Sequence, residues 1–306
     1  MEALSKAVLF YNTKSGHSRA DKHLQIIENH FAQNQIFVQI YEVPLPQQEI
    51  DAIIKTAIQD GAEMVIAAGG DGTVSFVSQA LVGTQVPLGI IPLGTGNMLA
   101  KELKIPLRLE KALETITLPE KNIIQMDTFE LDGQCYILNV SVGVSPEVMK
   151  ETPSEEKRRY GFLAYIAHAT AQLFGLKLRR FFLEYDNNKT VQLASEIVIT
   201  NARTFGSESF KLADNIAIDD GILDILVIRA KNIFDLLGLA ISIFTKKQYT
   251  NPAIRMYQFR DYCRIDSQSI LRSQADGDVI GQTPLMIKVN PQSLKVITGK
   301  PDIYQS

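Results

Sequence analysis

Along the first part of the chain, short apolar runs alternate with stretches in which apolar positions recur every three or four residues. Ala7–Tyr11, Ile36–Val43, Met64–Ala68 and Pro87–Ile91 have the length and content of buried strands. Between them, Leu24, Ile27 and Phe31 share one helical face, as do Ile50, Ile53, Ile54 and Ala57 within Gln47–Asp60, and Val74, Val77 and Leu81. Gly83 is placed to stop the third helix, and Met98–Leu103 predicts another. Strands alternating with helices predict a parallel, doubly wound, Rossmann-like sheet. Right-handed crossovers bring the C-terminal ends of its strands, and the loops that leave them, to one edge.

The texture changes after about Lys121. Strand-like runs now follow one another through turns: Ile123–Leu131 and Cys135–Val142 around Asp132-Gly133, Leu178–Tyr185 and Val191–Thr200 through Asn187-Asn188, and Asn215–Ile218 with Ile222–Ile228. Asp-Gly between two such runs is a strong hairpin signal. The pattern predicts an α/β domain over residues 1–121 and an antiparallel β-sandwich domain over 122–290.

At 306 residues the chain has the length of about two domains, and 45% hydrophobic against 21% charged residues is the balance of a globular protein with ample core. A net charge of -3 and a pI near 5.9 argue against a dedicated nucleic-acid binder, which needs a basic face. Cys135 and Cys263 make neither a disulfide framework nor a metal-ligand spacing, which fits a reducing compartment. The apolar stretches are too short or too interrupted for a signal-peptide core or a bilayer span. The expected location is the cytoplasm.

Three polar loops follow three of the strands. Asn12-Thr13-Lys14-Ser15-Gly16-His17-Ser18 leaves the first, Gly69-Gly70-Asp71-Gly72-Thr73 the third and Pro92-Leu93-Gly94-Thr95-Gly96-Asn97 the fourth. Glycines let backbone approach a ligand, amides point inward, and a helix N-terminus adds partial positive charge, which together suit phosphate. Asp71 is out of place beside a bare phosphate and in place if Mg²⁺ lies between them. Taken singly, each loop has a plainer reading: a tight turn with Asp71 as helix cap, or, for the first loop, a capped turn or the flavin-phosphate loop of a flavodoxin. Three loops on one edge favour nucleotide phosphate.

Gly69-Gly70-Asp71-Gly72-Thr73 followed by Pro92-Leu93-Gly94-Thr95-Gly96-Asn97 resembles the catalytic domain shared by diacylglycerol kinases, sphingosine kinases and their bacterial lipid-kinase relatives. Asn12…Ser15-Gly16 is similar to that family's Asn-Pro-x-Ser-Gly loop, with Thr13 in place of proline; Met98 stands where relatives often carry Asp. The Gly-Gly-Asp-Gly element is shared with NAD kinases and phosphofructokinases, whereas Leu-Gly-Thr-Gly-Asn points to lipid kinases. The resemblance implies an ATP- and Mg²⁺-dependent lipid kinase of phospholipid biosynthesis, which phosphorylates a hydroxyl of a diacylglycerol-like lipid from a nucleotide crevice between the domains. It implies that Asn12, Ser15, Gly16, Gly69, Gly70, Gly72, Thr73, Gly94, Thr95, Gly96 and Asn97 hold the nucleotide while Asp71 positions the magnesium.

In Ala275-Asp276-Gly277-Asp278, Asp276 matches the general base of the family's Asp-Gly-Glu, and Asp278 stands for its glutamate with a shorter arm toward the nucleotide. An aspartate of ordinary strength (about 3.9 in model peptides) suffices, because in a loose transition state the hydroxyl proton leaves late. Asp219-Asp220-Gly221-Ile222-Leu223 is similar to the family's Asp-Asp-Gly-Leu segment, which in bacterial relatives supports a structural divalent ion, and the resemblance implies Asp220 as its ligand. By pattern alone both aspartate stretches read as turns. The resemblance also implies that the last strands, about Leu285–Val289 and Leu294–Thr298, return to the first domain and complete it with residues 291–306.

Lys150–Arg180 carries seven basic residues against three acidic ones around Phe162-Leu163-Ala164-Tyr165-Ile166, and Ile233–Phe244 is apolar and ends at Lys246-Lys247. Such stretches suit a lipid substrate and peripheral docking on an anionic membrane; helices packed on the sandwich with a solvated basic side are the plainer reading. The substrate's acyl chains call for an apolar channel in the β domain, and a homodimer through that domain is compatible with the resemblance. Two alternatives stay open. One is an NAD kinase-like enzyme, although the only Glu-Asn pair, Glu28-Asn29, falls in the first helix. The other is a catalytically silent nucleotide- or lipid-binding regulator.

Overall fold

The computed structural model of the chain describes residues 5–13, 20–143, 177–203 and 216–299. They fall into two units, Met1–Met126 with Gln292–Ser306, and Asp127–Pro291. In the first unit the four apolar runs are strands β1 (Ser5–Asn12), β2 (Ile36–Val43), β3 (Met64–Gly69) and β4 (Leu88–Pro92), parallel in the order β2-β1-β3-β4. A short parallel contact from the last strand of the chain, Val296 beside Leu88, extends the row. Every residue of β3 is buried, as a parallel strand covered on both faces must be.

Helices fill the crossovers: α1 (Ala20–Gln33), α2 (Gln47–Gln59), α3 (Asp71–Leu81), α4 (Met98–Glu102) and α5 (Leu109–Thr117). Ile27 and Phe31 of α1 and Leu113 and Ile116 of α5 share a core with Leu9, Ile66, Ile91 and Ile297. Helix α5 was not among the sequence expectations, although Leu109, Leu113 and Ile116 recur at helical spacing and are buried.

The second unit is antiparallel. After β5 (Asn122–Leu131), which crosses the division, come β6 (Gln134–Tyr136), β7 (Asn139–Val142), β8 (Arg179–Tyr185), β9 (Asn188–Ala194), β10 (Glu196–Thr200) and β11 (Leu223–Ile228). Helix α6 (Ile233–Phe244) and a 3-10 turn (Gln248–Thr250) follow, then β12 (Ile254–Phe259), β13 (Tyr262–Ser267), β14 (Arg272–Ala275), β15 (Asp278–Gln282) and β16 (Leu285–Thr298). One sheet runs β12-β11-β10-β7-β14-β15; a second layer pairs β9, β8, β13 and the first half of β16.

Alternation does the packing. Val140, Ile197, Ile199, Ile225 and Val227 from the first sheet meet Phe181, Leu183, Ile265 and Ile287 from the second in one core. The opposite-facing Val198 and Leu226 pack with Leu239 and Ile243 of α6. A parallel α/β unit and an antiparallel sandwich are thus both present, as the hydrophobic pattern predicts.

The structure corrects several element boundaries. Cys135–Val142 is not one strand: it breaks between β6 and β7, which belong to different layers. Val191–Thr200 breaks at Ser195, whose amide donates to the Ile228 carbonyl at 2.8 Å. Residues 216–218 form no strand, and Leu223 opens β11 instead. The two terminal strands are one element, β16, in which Gln292 adopts a left-handed φ of 47° at the boundary between the units.

Candidate functional site

In the first unit the ends of three strands converge on two loops. β3 stops at Gly69 and α3 starts at Asp71, so the amides of Asp71, Gly72 and Thr73 open a helix whose geometry supplies them no carbonyl. Here glycine is required by contact. A Cβ on Gly94 would lie 2.5 Å from the Cα of Gly70, and one on Gly69 would run into the Thr73 side chain. A Cβ on Gly96 would strike the carboxylate of Asp71, whereas Gly72 and its surroundings are open. The loops are stitched together by Leu93 N–H donating to the Gly69 carbonyl at 2.9 Å.

Asn97 closes the second loop on itself. Its Oδ1 accepts from Gly94 N–H at 3.0 Å, its Nδ2 donates to the Gly94 carbonyl at 2.8 Å, and its own φ of 49° is left-handed. From β1, Asn12 Nδ2 donates to Thr73 Oγ1 at 3.0 Å. Asn12, Gly69–Thr73 and Gly94–Asn97 are therefore one cluster. Ser15 and Gly16 lie outside the described residues.

Asp71 is a helix cap, though not of its own helix. Its Oδ1 accepts the N–H of Met98, the first residue of α4, at 2.5 Å. Burial pushes its carboxyl above the usual range, while bonds from the Met98 and Asn97 amides and the nearby Lys101 charge pull it back. The donor set fits a nucleotide with magnesium: open amides for phosphate, and a hard carboxylate oxygen beside them. Among the described residues no three His, Cys, Asp or Glu side chains gather to hold a metal on their own. Mg²⁺ needs no such cage, since it keeps waters and leans on one or two carboxylates and on phosphate oxygens.

In the second unit Asp276 and Gly277, with φ of 47° and 98°, form the two-residue turn between β14 and β15, in which Ala275 faces Asp278. The Asp276 carboxylate accepts three backbone amides, from Ile137 at 2.9 Å, Leu138 at 2.9 Å and Asn139 at 3.1 Å. These are the amides released where β6 breaks from β7. On the other side of the break, Asn201 N–H donates to the Leu138 carbonyl at 2.8 Å and Asn201 Nδ2 to the Ile137 carbonyl at 3.3 Å. The turn reading is correct, and the structure adds that the carboxylate of the turn is anchored by these amides. Asp278 is exposed beside it. Burial, then the charges of Asp276, Asp132 and Asp278, push Tyr136 up to about 12.

A second acidic loop, Asp219-Asp220-Gly221, is clamped by Asp127 of β5: Gly221 N–H donates to Asp127 Oδ2 at 2.7 Å, and Asp127 N–H to the Ile218 carbonyl at 2.7 Å. Asp220 Oδ1 accepts from Ile222 N–H at 3.0 Å. Burial raises the carboxyls of Asp219 and Asp220. It raises Asp224 to about 6, against a bond from Gln258 Nε2 of 2.9 Å and with a further push from Asp220. Sequence reasoning missed Asp127, Asn201 and Asp224. All three are polar side chains in or next to strands and almost fully buried; for Asp127 and Asp224 an acid inside an apolar strand run was the signal available, and Asn201 gave none.

Comparison with known proteins covers both units. Residues 6–131 match the diacylglycerol kinase catalytic domain, and residues 138–298 match the YegS C-terminal NAD kinase beta sandwich-like domain. A protein of Escherichia coli O1:K1 named "Probable lipid kinase YegS" is 30% identical over 247 residues, covering 79% of this chain and 80% of that one. The Bacillus subtilis diacylglycerol kinase is 25% identical over 284 residues, covering 92% of each. In fold the chain is similar to the crystal structure of a "putative diacylglycerol kinase" from Bacillus anthracis, with a TM-score of 0.82 at 22% identity over 99% of this chain and 98% of that one.

Proposed function

The chain belongs to the diacylglycerol kinase catalytic-domain family, in the form that carries a YegS-type sandwich, and on that premise we propose that it is an ATP-dependent kinase for a hydroxyl of a diacylglycerol-like lipid. The observation that carries the reading is the bare backbone approach of Gly94 to Gly70 at the start of α3, which a Cβ on Gly94 would close. Within Gly69–Thr73 and Gly94–Asn97 the amides of Gly72, Thr73, Thr95 and Gly96 take phosphate oxygens, those of Gly94 and Asn97 being spent on the Asn97 and Asp71 side chains. Asn12 fixes the Thr73 hydroxyl beside them. Asp71, already held by Met98, is the residue to hold magnesium. Magnesium bound with ATP neutralises charge on the transferring phosphoryl group.

Asp276 accepts the proton of the acceptor hydroxyl; its three amide donors fix the carboxylate in one orientation, which is what a positioned base needs. Asp278 supports the nucleotide, and Asp220 with neighbouring carbonyls holds a structural divalent ion. The test is transfer of labelled phosphate from ATP with Mg²⁺ to mixed lipid vesicles, for the unaltered protein and for Asp276→Asn. Labelled lipid that vanishes with the substitution is the expected result. A second reading, NAD as the acceptor, draws on the description of the C-terminal domain as NAD kinase-like, and labelled NAD without labelled lipid would replace the first. ATP binding with neither product would leave a silent regulator.

A further inference from the structure

Among the described residues, helix α6 packs on one of its sides. Leu239, Ser242 and Ile243 are buried, with Leu239 and Ile243 in a core with Val198, Leu226 and Ile254. On the opposite side Phe234, Leu237, Ile241 and Phe244 are 78%, 44%, 63% and 70% exposed. At about 100° per residue these four positions fall within an arc of about 80°, a single stripe about 15 Å long. Tyr249, 60% exposed, lies just beyond its end. Large apolar side chains this exposed and this contiguous mark a docking surface.

Charge identifies what docks. From Leu236 to Phe259 the chain has no acidic residue, while Lys246, Lys247 and Arg255 are exposed. The one acid of the helix, Asp235, is engaged at the N-terminus: its carboxylate accepts Lys231 N–H at 2.7 Å and its own N–H donates to the Asn232 side chain at 3.0 Å. A second copy laid antiparallel on the stripe would bring Lys246 and Lys247 against Lys231 and Asp235, whose charges cancel, so it offers the two lysines no net countercharge. An anionic lipid surface offers an apolar layer for the stripe and negative charge for its rim.

We propose that α6 docks on an anionic phospholipid membrane, with Phe234, Leu237, Ile241 and Phe244 at the boundary of headgroups and acyl chains and Lys246 and Lys247 against the headgroups. Docking here is a matter of binding alone and is read without ATP, so it stands or falls separately from phosphoryl transfer. The experiment is co-sedimentation with vesicles of phosphatidylcholine alone and of equimolar phosphatidylcholine and phosphatidylglycerol. Phe234→Ser with Ile241→Ser and Phe244→Ser lowers partitioning onto the mixed vesicles at least tenfold and leaves the thermal midpoint unchanged. Lys246→Gln with Lys247→Gln weakens binding to the mixed vesicles by about fivefold for each lysine, and not to neutral ones.

Unchanged partitioning of the triple variant overturns the proposal. So does a large fall in its thermal midpoint, which would mean that the chain itself covers the stripe. A dimer in solution that the triple variant dissolves, with no change on vesicles, would assign the stripe to a second copy instead.

Discussion

The two aspartates matched to chemistry, Asp71 and Asp276, both spend their carboxylates on backbone amides, but in unequal measure. Asp71 takes the Met98 amide with Oδ1, is also bonded by the Asn97 amide, and is raised by burial. Asp276 takes three amides and is what satisfies the break between β6 and β7. Asparagine keeps one acceptor oxygen, which suffices for the Met98 amide. It cannot reproduce the arrangement at Asp276, because its NH₂ would face donors. An activity lost on neutralising either residue therefore means different things, and stability has to be measured beside it.

The largest effect is expected from Asp276→Asn, with phosphoryl transfer down at least about 100-fold, the scale of a lost general base, and stability down by about 1–3 kcal/mol from amides left unsatisfied. Chemical denaturation beside the labelled-lipid assay reads both. Next comes Gly94→Ala. Its methyl has only backbone to push against at Gly70, so overpacking lowers stability by about 1–3 kcal/mol, and calorimetry finds nucleotide binding lost even in the folded fraction.

Asp224→Asn sharpens the contrast from the opposite direction. A carboxyl raised to about 6 in the native state makes folding less favourable as pH rises from the ordinary carboxylate value through 6. Asparagine, still able to accept from Gln258, removes that penalty, so stability rises at pH 7.5 by up to about 3 kcal/mol and the gain fades toward pH 4. The smallest effect belongs to Asp71→Asn. Its carboxyl is raised by burial too, so the thermal midpoint at pH 7.5 holds or rises slightly, even as Mg²⁺·ATP affinity falls. A midpoint falling as far as that of Asp276→Asn would erase the distinction between the two aspartates.

The parallel unit is legible in the sequence because its strands are buried on both faces and read as unbroken apolar runs; β3 is the clearest case. The Asp132-Gly133 turn is legible because left-handed φ at both positions selects those residue types. The break at Ile137-Leu138 is not, since both side chains are apolar and buried and only their amides turn away, toward a carboxylate 138 residues on from Leu138. Nor does sequence reveal that Asp71 caps α4 rather than α3, because the contact depends on Gly96 admitting the carboxylate across the loop. Side-chain patterns record burial. They do not record which distant amide a short acid will find.

The path of β16 bears on how the molecule is made. Val296 and Ile297 supply the first unit with its last strand contact and part of its core, yet they emerge from the ribosome after all of residues 127–291. Domains released from the ribosome usually finish folding from the N-terminus onward. Here the order is inverted: a nascent chain halted at residue 291 already holds the whole sequence of the sandwich, while the parallel unit, begun first, still waits for its final strand.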